Sequence, residues 1–120
     1  MGYSILVADD DPVLLQTLSE QLTSETHSVT AASNGEQTIS FLKKQQFDIA
    51  IIDIKMPKPD GFDVLKFIKE NYPPLKVIML TAYADLTNAM KCEKLGADEV
   101  IEKPYDVGEV FDAIHYLMKK

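Results

Sequence analysis

Hydrophobic and polar positions along this chain follow two alternating rhythms: short apolar runs, and longer stretches whose apolar residues recur every three or four positions. "SILVA" (Ser4 to Ala8) is a β-rich run that stops at "DDD". Asp11 then reads as an N-cap and Pro12 as a first-turn proline, with Leu14, Leu15, Leu18 and Leu22 on one helical face. "HSVTAAS" is a second strand, polar enough to be an edge, and "NGEQTISFLKKQ" runs from an Asn34 cap with Ile39 and Leu42 on one side. "FDIAIIDI" is apolar on both faces, as a parallel strand buried in mid-sheet requires. Phe62 to Asn71 carries Leu65 and Ile68 at helical spacing and ends before Pro73 and Pro74. "LKVIML" is a fourth strand, and Asp85 caps a helix that closes at Gly96, a natural residue for the position after a C-cap. "EVIEK" is a short fifth strand. Asp106 and Glu109 then have capping-box spacing ahead of Val110, Ile114 and Leu117.

Five strands alternating with five helices through short connections predict a parallel sheet covered by helices on both faces. Residues 1–120 read as one α/β domain, without repeat, linker or low-complexity segment. A chain of 120 residues can bury about two-thirds of its unfolded surface, and a 46% hydrophobic fraction suits a globular core. No apolar run approaches the roughly 18 residues that span a bilayer. "MGYSIL" lacks the basic segment of a signal peptide and has Leu6 where a myristoylation site needs Ser or Thr. A soluble, cytoplasmic protein is expected. The single cysteine, Cys92, forms no disulfide within the chain and reads as a packed helix thiol. The net charge of −7 opposes nucleic-acid binding by this domain itself, though not by another domain of a longer protein.

The chemistry concentrates at the strand ends. All strands of a parallel sheet point their carboxyl ends at one edge, where ligands bind. Strand one ends in Asp9 and Asp10, strand three in Asp53, strand four in Thr81 and strand five in Lys103. Carboxylates so gathered repel one another, by about 4 kcal/mol for two unit charges about 4 Å apart at an effective dielectric near 20. Lys103 cannot offset three acids, and a hard divalent ion with oxygen ligands can, Mg²⁺ typically taking carboxylates, waters and phosphate. Metal, lysine and hydroxyl together also suit a phosphoryl group. An acid after a strand is often only a helix cap, as Asp11 is. Four strand ends with complementary chemistry are another matter. Asp48, Asp60, Asp63, Asp98 and Asp112 lack that convergence and read as caps, turns or solvated surface.

"ILVADDD", "IIDIKMPKPDGF", "VIMLTAYAD" and "GADEVIEKPY" resemble, in order and spacing, the signature blocks of the response-regulator receiver domain of two-component signalling. The resemblance covers essentially the whole chain. It implies a flavodoxin-like, doubly wound sheet of strand order 2-1-3-4-5 with helices in layers on either side. It implies that Asp53 accepts a phosphoryl group from a phosphohistidine on a sensor histidine kinase or histidine phosphotransfer protein. Asp10, Asp53 and the backbone carbonyl of Lys55 would ligate Mg²⁺, with Asp9 acting through water. Lys103 would pair with a phosphoryl oxygen, Thr81 would donate its hydroxyl to another, and the Lys103–Pro104 bond would be cis. Output would pass through the helix from Asp85 to Leu95, the last strand and the last helix, to an output domain or a homodimer partner. Val107, Val110, Phe111 and Met118 either contribute to that face or belong to the core. The chain departs from the family pattern at Val100, where an aromatic often stands; Tyr83 and Tyr105 are the nearby aromatics.

Three other functions are weighed on residues. A haloacid-dehalogenase-type phosphatase needs a general-acid Asp two positions after its nucleophile, where this chain has Lys55. A flavodoxin-like cofactor binder needs a hydroxyl- or glycine-rich loop after strand one, where this chain has "DDDPV", and no Walker A or G-x-G-x-x-G pattern occurs. A degenerate receiver, binding partners without phosphorylation, is the remaining alternative, against which stands the filling of every site position. The expected protein is a switch that acts chemically only on itself, and not a turnover enzyme.

Overall fold

The computed structural model describes residues 2–82 and 85–119. The elements run β1 (Ser4–Ala8), α1 (Pro12–Ser24), β2 (Ser28–Ala32), α2 (Gly35–Lys44), β3 (Ile49–Asp53), α3 (Gly61–Asn71), β4 (Lys76–Thr81), α4 (Leu86–Lys94), β5 (Glu99–Glu102) and α5 (Val107–Met118). The strands are all parallel in the order β2-β1-β3-β4-β5. The chain thus winds one way from β1 to β2 and the other way from β3 onward, which opens a crevice between the carboxyl ends of β1 and β3.

Strand alternation sorts the core into two layers. Ile5, Val7, Ile49, Ile51, Ile78 and Leu80 pack with Leu18 and Leu22 of α1 and with Val110, Ile114 and Leu117 of α5. Leu6, Ala8, Ala50, Ile52, Val77 and Met79 pack with Leu42 of α2, Leu65 and Ile68 of α3 and Cys92 of α4. All five residues of β3 are buried, which is why its sequence shows no polar face. The predicted Leu14–Leu22 face is buried only from Leu18 on, and Leu14 and Leu15 are half-buried. Val110 is core, while Val107, Phe111 and Met118 pack partly buried against it.

The capping signals are realised. Asp11 accepts from the backbone N–H groups of Val13 and Leu14, Asn34 from Gln37, and Asp106 with Glu109 forms a capping box. Asp60 and Asp63 form a further capping box, so α3 begins at Gly61 rather than at Phe62. Gly96 follows the C-cap of α4 at φ 98°, where a side chain would be strained. Asp98 is less a surface residue than a brace: its carboxylate accepts from Val77 N at 2.8 Å and from Lys69 Nζ at 2.9 Å, tying α3 to the start of β4.

At Gly61 the backbone of α3 lies against the turn it comes from, and a Cβ there would overlap the Asp53 carbonyl oxygen and Ile54 Cα. Gly108, inside α5, would meet only ordinary contacts, the nearest being Asp106 Oδ1 at 3.7 Å. Gly61→Ala is therefore expected to destabilise the fold by about 1–3 kcal/mol through forced backbone shifts. Gly108→Ala should leave stability unchanged or raise it by up to about 1 kcal/mol. Urea unfolding of both variants checks the contrast, and equal midpoints would refute it.

Candidate functional site

β1 and β3 end side by side, Ala8 pairing with Ile52, so Asp9 and Asp53 leave adjacent strands at the same edge. β4 brings Thr81 one position beyond Leu80, the partner of Asp53. The backbone N–H of Lys103 donates to the Thr81 carbonyl at 2.7 Å, which fixes where the lysine leaves β5. The Lys103–Pro104 bond is cis, as expected, and Lys58–Pro59 is a second cis bond that no sequence signal gave. The result is a cleft of about 300 Å³ lined by Asp9, Asp10, Asp53, Lys55, Thr81 and Lys103. Every side chain proposed from the sequence is there.

Burial and charge set the properties of the cleft. Asp9 is 2% exposed and Asp53 5%, whereas Asp10 is open to solvent. Lys103 Nζ lies 3.0 Å from Asp9 Oδ2 and 3.3 Å from Asp53 Oδ1, bridging the two buried acids. Asp9 also accepts from the backbone N–H of Asp11 at 2.9 Å, which holds its carboxylate toward the cleft. Burial first, and then the charge of Asp9, push the Asp53 carboxyl up to about 6, against the opposing pull of Lys103 and the Lys55 N–H. Burial pulls the Lys103 ammonium down, but its two carboxylate partners outweigh this and leave its pKa raised. The acids hold the lysine charged, while one lysine does not fully offset them.

Carboxylate oxygens of Asp9, Asp10 and Asp53 lie within 4.8 Å of one another, a hard-oxygen donor set that fits Mg²⁺ in type and number. The Thr81 hydroxyl is buried, and among the described residues it has no hydrogen-bond partner. A buried hydroxyl without a partner costs roughly 1–3 kcal/mol, and at a cleft wall it is a donor awaiting an acceptor. Cys92 is buried away from the cleft and its thiol is pushed up to about 11 by burial, which leaves it unreactive.

Asn88 also lines the cleft and was not singled out in the sequence. Its backbone N–H and its side-chain amide both donate to the Asp85 cap, at 3.1 and 2.6 Å. The available signal was position alone, the first turn of a helix that starts just after Thr81. Tyr83 lies outside the described residues. Val100 is half-buried against the α2–α4 layer, and Tyr105 packs on the opposite layer.

The chain matches the response regulator receiver domain over residues 5–115. It is 35% identical over 115 residues to the heme response regulator HssR of Staphylococcus saprophyticus, covering 96% of this chain and 51% of that one. It is 32% identical over 114 residues to sporulation initiation phosphotransferase F of Bacillus subtilis, covering 95% of this chain and 92% of that one. Among solved structures, the receiver domain of the Francisella response regulator 1452 superposes with a TM-score of 0.91 at 27% identity, covering 98% of each chain. The chain thus spans about half of HssR and nearly all of the phosphotransferase.

The raised Asp53 pKa makes stability depend on pH. Between pH 3.8 and about 6 the folded state holds this proton more tightly than the unfolded chain, so stability falls as pH rises through that window. In chelator-treated buffer at about pH 7.5, Asp53→Asn should be more stable than wild type by about 1–3 kcal/mol. The advantage should shrink below about pH 4, where Asp53 is protonated in both states. Urea midpoints of the two proteins at both pH values check this; a constant difference would contradict the electrostatic origin.

Proposed function

The chain belongs to the response-regulator receiver domain family, and from that premise we propose that it is a phosphorylatable switch whose acceptor is Asp53. The observation carrying this reading is the convergence of Asp9, Asp10, Asp53, Lys103 and the Thr81 hydroxyl, which has no hydrogen-bond partner among the described residues, in one cleft. A carboxylate oxygen of Asp53 attacks the phosphorus of a phosphohistidine on a sensor kinase or histidine phosphotransfer protein. The O–P bond forms, the P–N bond breaks, and the imidazole leaves, giving an acyl phosphate on Asp53. With its pKa near 6, Asp53 is ionised at neutral pH and ready to act as nucleophile.

Asp10, Asp53 and the Lys55 carbonyl would hold Mg²⁺, with Asp9 acting through water. Bound there, the ion supplies positive charge to the phosphoryl oxygens. Lys103 already sits between Asp9 and Asp53, so its ammonium can pass from a carboxylate to a phosphoryl oxygen with little movement. Thr81 donates its hydroxyl to another phosphoryl oxygen. Because carboxylate is a weak nucleophile, positioning and charge neutralisation carry the catalysis. The new group adds roughly one negative charge to the cleft, to which Lys103 and Thr81 respond.

The chain acts chemically only on its own side chain, in phosphorylation and dephosphorylation. Its partners are the phosphodonor and, since it spans about half of HssR, an output domain or a separate effector. The setting is cytoplasmic; no helix among the described residues is long and apolar enough to cross a membrane.

Intact mass after treatment with a small phosphodonor and Mg²⁺ tests the acceptor. One phosphoryl group should be gained by wild type and lost on hydroxylamine treatment, which cleaves acyl phosphates. None should be gained by Asp53→Asn or with chelator present. No gain in wild type that binds Mg²⁺ would turn the reading to a partner-binding receiver without phosphorylation. Lys103→Ala should retain Mg²⁺ binding, followed by titration with the metal, yet lose the phosphorylation-linked amide shifts in α4. Unaltered shifts in that variant would remove Lys103 from the mechanism.

A further inference from the structure

The cleft at Asp53 occupies the carboxyl edge of the sheet. At the opposite edge, where β3 and β4 begin, a groove of about 690 Å³ lies between the last turns of α2 and α3. Buried Leu42 and Leu75 and half-buried Phe47 and Tyr72 line it with apolar surface. Pro73 and Pro74 follow Tyr72, which leaves the helical region at φ −135°, ψ 60°, as suits a residue before proline. The Leu75 N–H donates to the Tyr72 carbonyl at 2.9 Å and closes the turn, so this rim is stiff. Phe67 meets Tyr72 edge-on with ring centroids 5.9 Å apart, and the Lys43 ammonium stands 5.9 Å from the centre of the same Phe67 ring. The walls from α2 and α3 are thus already joined, which lowers the ordering cost of binding.

The charge of the groove runs against that of the chain. The whole sequence carries −7, yet the charged residues lining the groove are Lys43 and Lys44, with no Asp or Glu among them. Both lysines are exposed, and among the described residues neither is in an ion pair. They stand in the last turn of α2 and complement its carbonyl end, a role that leaves their ammonium groups open to an anion from outside. We propose that this groove docks an acidic segment of a partner protein, its carboxylates meeting Lys43 and Lys44 and an apolar side chain seated between Phe47 and Tyr72. Charge complementarity selects the occupant. A basic segment would meet two lysines, and a two-fold contact with a second copy would set lysines against lysines. A nucleic acid would be repelled by the acidic remainder of the chain. The length of β3, roughly 13 Å at the rise of a strand, separates the groove from Asp53, so the proposal stands apart from the phosphoacceptor reading.

The test titrates a short synthetic peptide of alternating Glu and Leu, capped at both ends, into the isotope-labelled chain. Amide shifts should concentrate on the last turns of α2 and α3 and on the turn from Tyr72 to Leu75. Affinity should fall about ten-fold or more when Lys43→Glu and Lys44→Glu are combined, and several-fold when salt rises from about 50 mM to about 500 mM. Lys66→Glu, a reversal at an exposed position of α3 outside the groove, should leave affinity nearly unchanged. Tyr72→Ala should weaken binding several-fold and keep the salt dependence. Dispersion of the amide spectrum verifies that each variant is folded. Absence of shifts at the groove, equal shifts there with a Lys-for-Glu peptide, or equal losses in Lys66→Glu would overturn the proposal. So would a thymidine oligonucleotide that shifts the same amides more strongly, or a concentration-dependent dimer that Lys44→Glu abolishes, since these would assign the groove to nucleic acid or to a second copy.

Discussion

The Lys103 ammonium stands 3.0 Å from Asp9 and 3.3 Å from Asp53, and through it two buried carboxylates can face one another across the ends of β1 and β3. Burying the Asp53 carboxylate there without a partner would be costly, since desolvation of an unpaired charge costs several kcal/mol. The lysine lowers that cost without removing it. Asp53 still holds its proton up to about pH 6, against a usual carboxylate value of 3.8. The side chains lining the cleft thus carry more negative than positive charge. An imbalance of this kind is what gives a cation, and then a charged group carried by it, a driving force to bind.

Such a site needs a rigid scaffold, because charges held against repulsion will part if the backbone allows it. The scaffold is the fully buried β3, gripped on both faces by separate apolar layers. Further ties hold the strand ends in place. Lys103 N bonds the Thr81 carbonyl, Ile54 N bonds the Leu80 carbonyl at 3.0 Å, and Gly61 lets α3 start directly against the Asp53 backbone. A glycine at the start of α3 is thus a requirement of Asp53's position as much as of the helix. The chain turns away at once after Asp53, and the buried carboxylate lines the cleft.

The strands, the caps and the converging side chains were legible in the sequence because each leaves a local mark. Alternation that vanishes in β3 and an Asp or Asn before each helix are marks of this kind, as are polar residues placed after apolar runs. What was not legible depends on contacts between segments distant in the chain. Asp98 looked like a loop acid until Val77 and Lys69 came against it. Asn88 reaches the cleft only because α4 begins where β4 ends. Leu14 and Leu15 followed the helical period yet are half-buried, since periodicity gives a face and not the extent of the surface it meets.

The same packing indicates how a pull on Thr81 would travel. Val100 has a short, β-branched side chain with little rotamer freedom, and it cannot swing inward as an aromatic could. Tyr105 belongs to the opposite layer. Among the described residues, the link from Thr81 to α4 runs along the chain, where the Asp85 N–H donates to the Ala82 carbonyl at 3.2 Å. Among the nine residues of α4 only Cys92 is fully buried, compared with five buried residues in α3 and four in α5. The Lys91 ammonium adds a contact 4.2 Å from the centroid of the Phe62 ring, worth about 0.5–1 kcal/mol when exposed. A helix held so lightly costs less to displace than its neighbours. Under the switching function proposed above, α4 is therefore the element through which a shift of Thr81 would be transmitted at least cost.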